Sequence, residues 1–360
     1  MSRLGDLGNR LDRGEASYDF VGRRRVWYIV SGAFLTLAIG TLAITGLNLG
    51  IEFKGGAQYT VSVENAQVSD ITKARNAVDE TGVEVSSVTI SGGNKIRVQT
   101  EAVTTDESAE VTAALADTFD VSEAKVTSQI VGPTWGKEVS QNAAKALVVF
   151  LIIVSIFLAI YFEWPMAVAA LVALAHDVLI TIGIYALVGF EVTPATVTGF
   201  LTILGFSLYD TVVVFDKVRE NTRGLLSGSR MTYREAANLA LNQTLVRSIN
   251  TAIVALLPVL AILVVGVTKL GPGPLNDLAL ALFIGMLVGT YSSIFIATPV
   301  LVQIKERDPE IQALGNRVQS RRKNAGIDPT PAVLMQDSRG VVTGPRQQRV
   351  RRTRSERTGK

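Results

Sequence analysis

Ionisable side chains inside long apolar segments are the residues of this sequence with the clearest capacity for chemistry. His176 and Asp177 lie together in one such segment, Asp210 lies in the next, and Arg247 opens another. A charged side chain at the centre of a bilayer costs about 2.5–3.5 kcal/mol on insertion scales, so such residues mark ion or proton pathways by default. These four residues are therefore the candidates for a proton or ion path through the membrane.

Each of these residues also has a purely structural interpretation. Asp210 and Arg247 can pair simply to hold two helices together, and a sole histidine such as His176 often makes one structural hydrogen bond. Proton transfer is favoured for Asp210 because its helix face is mostly small or polar, which permits water and close packing. That face carries Gly199, Thr202 and Ser207, with Phe206 as the bulky exception. Asp177 and His176 are assigned to an accessory proton path.

The composition identifies the class of protein that holds these residues. Of 360 residues, 48% are hydrophobic and only 19% are charged, and the mean hydropathy is +0.32. This is too apolar for soluble domains. The chain has no cysteine and one histidine, which argues against thiolate and histidine metal sites. We therefore expect a polytopic α-helical membrane protein with no metal, no other cofactor and no enzymatic activity.

Six apolar segments of about 20 residues are long enough to cross a bilayer. They lie near residues 27–47, 143–162, 165–188, 196–215, 245–267 and 278–302. Basic stretches precede the first segment, separate the fourth from the fifth and follow the sixth, and such stretches remain in the cytoplasm. A multi-pass protein of the cell membrane with both termini in the cytoplasm is predicted. Its parts are a cytoplasmic segment 1–26, a first helix 27–47, an extracytoplasmic domain 48–137, five further helices in 138–303 with a cytoplasmic loop 216–244, and a disordered basic tail 304–360.

The segment 48–137 is predicted to fold as a small domain outside the membrane. It has thirteen acidic and seven basic residues, a balance opposite to that of the cytoplasmic stretches. Alternating β-branched residues predict strands, and apolar residues at intervals of three or four predict helices. The strands are 57–63, 87–90, 96–100 and 122–130, with a turn at Gly92-Gly93-Asn94, and the helices are 69–81, capped by Ser69, and 106–119. The order βαββαβ favours an α+β ferredoxin-like domain.

Two further features concern packing and partners. Gly285 and Gly289 in the sixth segment form a small-residue stripe, which predicts close helix packing and an interface for a second membrane subunit. The tail ends in a basic block, 346–360, which can bind nucleic acid or anionic lipid. Membrane lipid is the favoured partner because the block lies beside the membrane, and no nucleic acid is expected.

Three motifs resemble the SecD/SecF family of protein-export membrane proteins. They are LGIEFKGG at residues 49–56, ALAHD at 173–177 and GFSLYDTVVVFDKVREN at 205–221. The last motif is similar to the SecF form of the family, and residues 20–303 match the SecF plan of six spans with one outer domain. The N-terminal segment and the long basic tail resemble actinobacterial members.

The resemblance implies a function that the residues alone do not specify. Members of this type are auxiliary subunits of the Sec translocase that pair with SecD, work with the SecYEG channel and SecA, and use the proton motive force to promote export of unfolded secretory proteins. In the family, an aspartate of the fourth span and an arginine of the fifth serve proton transport. The matching residues in this sequence are Asp210 and Arg247.

Two other function classes share parts of the pattern. An RND-type exporter of small molecules or lipids also has buried charges, but such exporters normally carry twelve spans and two large outer domains in one chain. An intramembrane aspartyl protease needs two carboxylates that share a proton, which Asp177 and Asp210 could supply. The Gly-x-Gly-Asp sequence that such proteases usually carry precedes neither residue.

Overall fold

The computed structural model describes residues 17–91, 94–228, 230–266 and 273–325. The helices are α1 Arg24–Thr45, α2 Ile51–Lys54, α3 Val68–Asp79, α4 Thr105–Thr118, α5 Pro133–Tyr161, α6 Trp164–Val188, α7 Pro194–Thr222, α8 Tyr233–Val265, α9 Pro274–Ser292, α10 Thr298–Lys305 and α11 Pro309–Ala325. The strands are β1 Asn48–Leu49, β2 Gly56–Ser62, β3 Val85–Ser91, β4 Lys95–Thr100, β5 Val126–Val131 and β6 Glu191–Val192.

The described part of the chain contains six helices long and apolar enough to span a bilayer. The last of them combines α9 and α10 through a π-helical segment, Ser293–Ala297. Isoleucine and valine side chains remain exposed along α5 and α8, as expected for helices whose outer faces meet lipid. The predicted class, a polytopic α-helical membrane protein, is confirmed.

Helical structure extends into both ends of the predicted cytoplasmic loop 216–244. Helix α7 continues to Thr222, and α8 begins at Tyr233, where the Thr232 hydroxyl and the Glu235 carboxylate cap each other's backbone N–H groups. The irregular connection is therefore only about ten residues long. The apolar-run criterion finds where a helix leaves the membrane, whereas polar residues with good helix propensity extend the same helix into water.

Residues 56–131, named the outer domain after their predicted location, form a four-stranded antiparallel sheet with α3 and α4 packed on one face. The strand order is β3-β4-β2-β5, so the two central strands are the first and third of the βαββαβ unit. Tyr59 on β2, Ile96 on β4 and Leu115 on α4 are completely buried in its core. The predicted ferredoxin-like domain is confirmed.

Details of this domain differ from the sequence prediction. Helix α3 is capped by Gln67, with Asp70 bonding back to the cap N–H, so Ser69 lies inside the helix. The last strand begins at Val126, after a 3₁₀ turn at Glu123–Lys125. Gly92 and Gly93, from the predicted turn, lie outside the described residues.

Two successive glycines form the turn into the outer domain, one packed against the start of α5 and the other against β4. Gly56 has φ +134°, and an added Cβ would lie 2.5 Å from the Thr100 carbonyl oxygen. Gly55 has φ +82°, with the backbone of Pro133 3.0 Å from its Cβ position. L side chains rarely adopt these angles, so glycine is required for both the turn and the close approach. Next to this turn, β1 pairs in parallel with β6 and connects the domain to the ends of α6 and α7.

The two described chain ends lie at the same end of the bundle. Arg24 is 2.6 Å from Glu306, and Arg322 makes two hydrogen bonds of 2.8 Å with Glu235. The expectation of disorder throughout 304–360 is wrong for 309–325, which form α11. The Arg322 ion pair and buried Leu314 dock this helix, a tertiary stabilisation that its polar composition conceals. Residues 1–16 and 326–360, including the basic block, lie outside the described residues.

Gly285 and Gly289 pack inside the chain. A Cβ added to Gly285 would lie 2.2 Å from a side-chain atom of Ile203 on α7, and one added to Gly289 would lie 2.9 Å from Ser207 Cβ. Both glycines are buried. The expectation that this stripe faces a second subunit is therefore wrong, because α7 of the same chain already occupies it.

Candidate functional site

Asp210 occupies the meeting point of three helices. Its side chain on α7 is buried, with 5% of its surface exposed. Oδ1 accepts a 2.7 Å hydrogen bond from Ser248 Oγ of α8, and Oδ2 accepts one from Ser293 Oγ. Both carboxylate oxygens are thus held by neutral hydroxyl groups. A hydroxyl can donate to a carboxylate or accept from a carboxylic acid, so this site accommodates either protonation state.

The π-helical segment after α9 supplies one of these hydroxyls. Ser293 is its first residue and is completely buried. A π-helical turn within an α-helix shifts the register of the side chains that follow and occurs often at functional sites. The irregularity therefore lies directly against the candidate proton carrier.

Asp177 forms a second buried carboxylate site beside the first. Its Oδ1 is 3.1 Å from His176 Nδ1, and its Oδ2 accepts a 2.5 Å hydrogen bond from Ser207 Oγ. Asp177 itself lies on α6, but Ser207 precedes Asp210 by three residues on α7, so the two carboxylate sites border successive turns of α7. His176 Nε2 is buried without a hydrogen-bond partner, and its ring stacks on Tyr291 with 6.1 Å between centroids.

Arg247 does not lie against Asp210. Its side chain is exposed on the outer face of the bundle, where Nη2 is 3.4 Å from the Tyr209 hydroxyl oxygen to which it donates. Successive residues of an α-helix point about 100° apart, so Ser248 turns toward Asp210 while Arg247 turns away. The expectation of a direct Asp210–Arg247 pair within this chain is wrong.

Exposed polar or small residues lie on the sides of α7 and α8 that carry Tyr209 and Arg247. The polar face consists of Thr198, Thr202, Gly205 and Tyr209 on α7 with Arg247 and Asn250 on α8. The α7 members are spaced by three or four residues and therefore lie on one side of that helix. A guanidinium and amide exposed at membrane depth are costly against lipid and favourable against protein or water.

Ser248 and Ser293 are the functional residues that sequence reasoning missed. Ser248 directly follows Arg247, and the sequence analysis assigned the proton-transport role to the ionisable Arg247 instead. Ser293 follows Gly289 by four residues in the sixth segment and received no functional assignment from the sequence. The available signal was a polar residue within an apolar segment, but serine is common in such segments and does not by itself indicate a carboxylate partner.

The two carboxylates do not form a protease dyad. Each of their four oxygens has its own partner, namely His176 and Ser207 for Asp177, and Ser248 and Ser293 for Asp210. An aspartyl protease instead needs two carboxylates in direct contact that share one proton.

The fold and site together define a class: multi-pass helical membrane proteins with a small ferredoxin-like domain and a buried carboxylate between transmembrane helices. Residues 110–307 match the family "Protein export membrane protein SecD/SecF, C-terminal", and residues 40–67 match "SecD/SecF GG Motif". The chain belongs to the SecD/SecF family of protein export membrane proteins.

Individual relatives agree with this assignment. The chain is 49% identical over 322 residues to "Protein translocase subunit SecF" of Streptomyces coelicolor, covering 89% of this chain and 86% of the relative. It is 44% identical to the subunit of the same name from Mycobacterium tuberculosis strain H37Rv, covering 88% and 73%. These relatives are translocase subunits, so the exporter and protease alternatives are not supported.

A solved structure shares the fold. The crystal structure of SecDF from Thermus thermophilus, described as a translocon-associated membrane protein, is similar with a TM-score of 0.72 and 33% sequence identity. The match covers 82% of this chain and 39% of that protein, so most of the Thermus chain has no counterpart in this one.

Proposed function

We propose that the chain is the SecF-type subunit of a protein translocase and uses the proton motive force to promote export of unfolded proteins. The observation that carries the proposal is the buried Asp210, held by two hydroxyls that satisfy it with or without its proton. Desolvation in the bilayer favours the neutral acid, whereas water or a nearby cation favours the carboxylate. A proton bound or released at Asp210 therefore changes the hydrogen bonds that join three helices, which is the requirement for coupling.

A SecD-type chain is the proposed membrane partner. The Thermus relative contains SecD and SecF parts in one chain, whereas this chain matches 39% of it. The polar face on α7 and α8 supplies the surface, because a partner helix would bury Arg247 and Asn250 away from lipid. The SecYEG channel, SecA and unfolded secretory proteins are the further partners of this proposal. Co-purification of a SecD-type chain from membranes in mild detergent tests the subunit assignment.

A matched pair of glycine substitutions locates the partner surface. Gly205→Leu is expected to leave the isolated chain stable, because apart from neighbouring parts of α7 no atom of the described structure lies within 4 Å of the added Cβ. It is expected to reduce recovery of the SecD-type partner. Gly289→Leu is expected to destabilise the isolated chain by about 1–3 kcal/mol through overpacking against Ser207. Thermal unfolding in detergent and quantitative pull-down measure the two effects. Full partner recovery with Gly205→Leu would place the interface on another face.

The proposed orientation puts both chain ends in the cytoplasm and the outer domain outside the cell. Support comes from the basic residues near both described ends and from the Arg24–Glu306 pair, which holds those ends together. Because the chain has no cysteine, single cysteines report sidedness cleanly. Asn94→Cys should react with an impermeant thiol reagent in intact cells, and Ser227→Cys should react only after lysis. The reverse pattern would refute the orientation.

A further inference from the structure

A buried ion pair joins the outer domain to the transmembrane helices. Glu191 lies on β6, directly before α7, and Arg97 and Gln99 lie on β4 of the outer domain. Arg97 Nη1 is 2.9 Å from Glu191 Oε2, and Gln99 Nε2 donates to Glu191 Oε1 at 2.6 Å. The two charged side chains are only 13% and 16% exposed. Both oxygens of one carboxylate at the start of α7 are therefore held by the outer domain.

A second carboxylate, that of Glu52, lies beside this pair, and one of its two oxygens has no hydrogen-bond partner. A Cβ added to Gly50 would be 2.6 Å from Glu52 Oε2 and 3.0 Å from Glu191 Oε1, so both carboxylates border the same point. Glu52 Oε2 is buried and makes no hydrogen bond. Arg97 Nε is also buried without a hydrogen-bond partner. An ionised carboxylate left unpaired in such a place is costly, whereas the neutral acid is tolerated.

The remaining charges around Glu52 do not compensate it. Asp277, in the first turn of α9, adds a third carboxylate near the pair and accepts a 3.2 Å hydrogen bond from Thr193 Oγ1. On α5, which packs against α2, Lys137 and Glu138 are exposed. Strands β1 and β2 contribute no ionisable side chain apart from the Tyr59 phenol. One guanidinium thus faces three carboxylates at this contact.

We propose that Glu52, Arg97 and Glu191 form a proton-sensitive joint that positions the outer domain over the start of α7. The joint closes when Glu52 is neutral, since Arg97 then serves Glu191 alone. It loosens when Glu52 ionises, since two carboxylates then compete for one guanidinium and repel each other. The joint rests on the proposed function, because α7 also carries Asp210. Its three side chains position the outer domain, whereas Asp210 carries the translocated proton.

The direction of the pH effect follows from the surroundings of Glu52. Burial raises the pKa of Glu52 above its ordinary value and outweighs a hydrogen bond from the residue's own backbone N–H, which lowers it. The negative charge of Glu191 raises the pKa further, while the guanidinium of Arg97 opposes the rise. A group whose pKa is higher in the joined state binds its proton more tightly there, so acid favours the joint and the preference is lost as the pH rises through that raised pKa. A difference of one pKa unit between joined and separated states changes their ratio by about tenfold.

Spin-label distances test the joint in the full chain in lipid nanodiscs. Labels on Asp117→Cys in α4 and Val188→Cys at the end of α6 occupy exposed positions on its two sides. Between about pH 5 and about pH 8, the parent should change from one narrow distance distribution to a broad one, with up to about a tenfold change in the separated population. Glu52→Gln, a permanent mimic of the neutral acid, should stay narrow at both values, and Arg97→Gln should stay broad.

The control and the outcomes keep this test separate from the export mechanism. Glu138→Gln removes an exposed carboxylate from the neighbouring helix and should follow the parent. A parent distribution that does not change with pH, or a Glu52→Gln variant that keeps the parental dependence, would overturn the proposal. The measurement involves neither export nor a partner, so its failure leaves the assignment of Asp210 untouched. If the joint responds as expected while Asp210→Asn still exports normally, the joint stands and the proton-carrier assignment fails.

Discussion

Asp210→Asn is expected to abolish the proton-gradient-dependent part of protein export while leaving assembly intact. Asparagine keeps the shape and nearly the volume of aspartate but cannot ionise. Ser248 and Ser293 can reorient their hydroxyls to serve an amide as they serve a carboxyl group, so the packing of α7 should survive. The loss would therefore report on proton chemistry rather than on folding.

The size of the effect follows from the energy of one proton. Crossing a potential of roughly 150 mV delivers about 3.5 kcal/mol, at about 2.3 kcal/mol per 100 mV for each charge. That energy biases a two-state conformational change by about a few hundred-fold. Export of a reporter into membrane vesicles, with ATP fixed and the gradient imposed or collapsed, measures whether this bias is used.

A neighbouring aspartate provides the matched control. Asp216 is a turn and a half further along α7, where its carboxylate accepts a 3.2 Å hydrogen bond from the exposed Tyr161 hydroxyl. Asp216→Asn should retain gradient-dependent export, because this group is not enclosed. Normal gradient-dependent export by Asp210→Asn would show that Asp210 is structural, and Asp177 would become the next proton carrier to test.

Arg247→Leu is expected to eliminate gradient-dependent export without lowering the stability of the isolated chain. The guanidinium lies on the exposed polar face and makes one long hydrogen bond to Tyr209, so its removal leaves no buried group unpaired within the described part of this chain. In the translocase we expect a partner helix to enclose it, and its charge then influences the protonation of nearby carboxylates. Arg247→Lys should also be impaired, because lysine lacks the planar fork and can lose its charge when buried.

Two measurements separate this account from a structural role. The midpoint temperature of thermal unfolding of the isolated chain should be unchanged or slightly raised by Arg247→Leu, since an exposed charge is removed from lipid. The vesicle export assay should show the loss. If the substitution lowers the unfolding temperature of the isolated chain by several degrees, Arg247 instead stabilises its own helix bundle. The polar face would then not be the site at which Arg247 acts.

The outer domain and the carboxylate site differ in how far the sequence predicts them. Alternation of Tyr59 and Val61 into a core, and a helical repeat of Ala74 and Val78, are consequences of strand and helix periods, and the order of residues alone predicts both. The partners of Asp210 are not predictable in this way, because Ser248 and Ser293 are 38 and 83 residues away along the chain. Neither a hydropathy run nor a short motif reports which residue of a distant helix turns toward a given carboxylate.

Helix ends show the same division between local and tertiary information. The length of each apolar run determined that six helices cross the membrane, because hydrocarbon thickness sets a minimum length. Polar stretches such as 309–325 contain no apolar run from which a helix could be predicted. Their helical structure depends on docking contacts such as the ion pair of Arg322 with Glu235. Sequence reasoning therefore underestimated helical extent where the stabilising partner belongs to another element.

By itself, the sequence determined the membrane class, the ferredoxin-like domain and the burial of Asp177 and Asp210, since each depends on local periodicity or on the composition of one segment. Only the tertiary structure decided that Ser248 rather than Arg247 faces Asp210, that Gly285 and Gly289 pack against α7, and that Arg97 holds Glu191. The physical reason is rotational. A helix or strand forms from local interactions, but the direction in which each side chain points is selected by packing among all the elements at once.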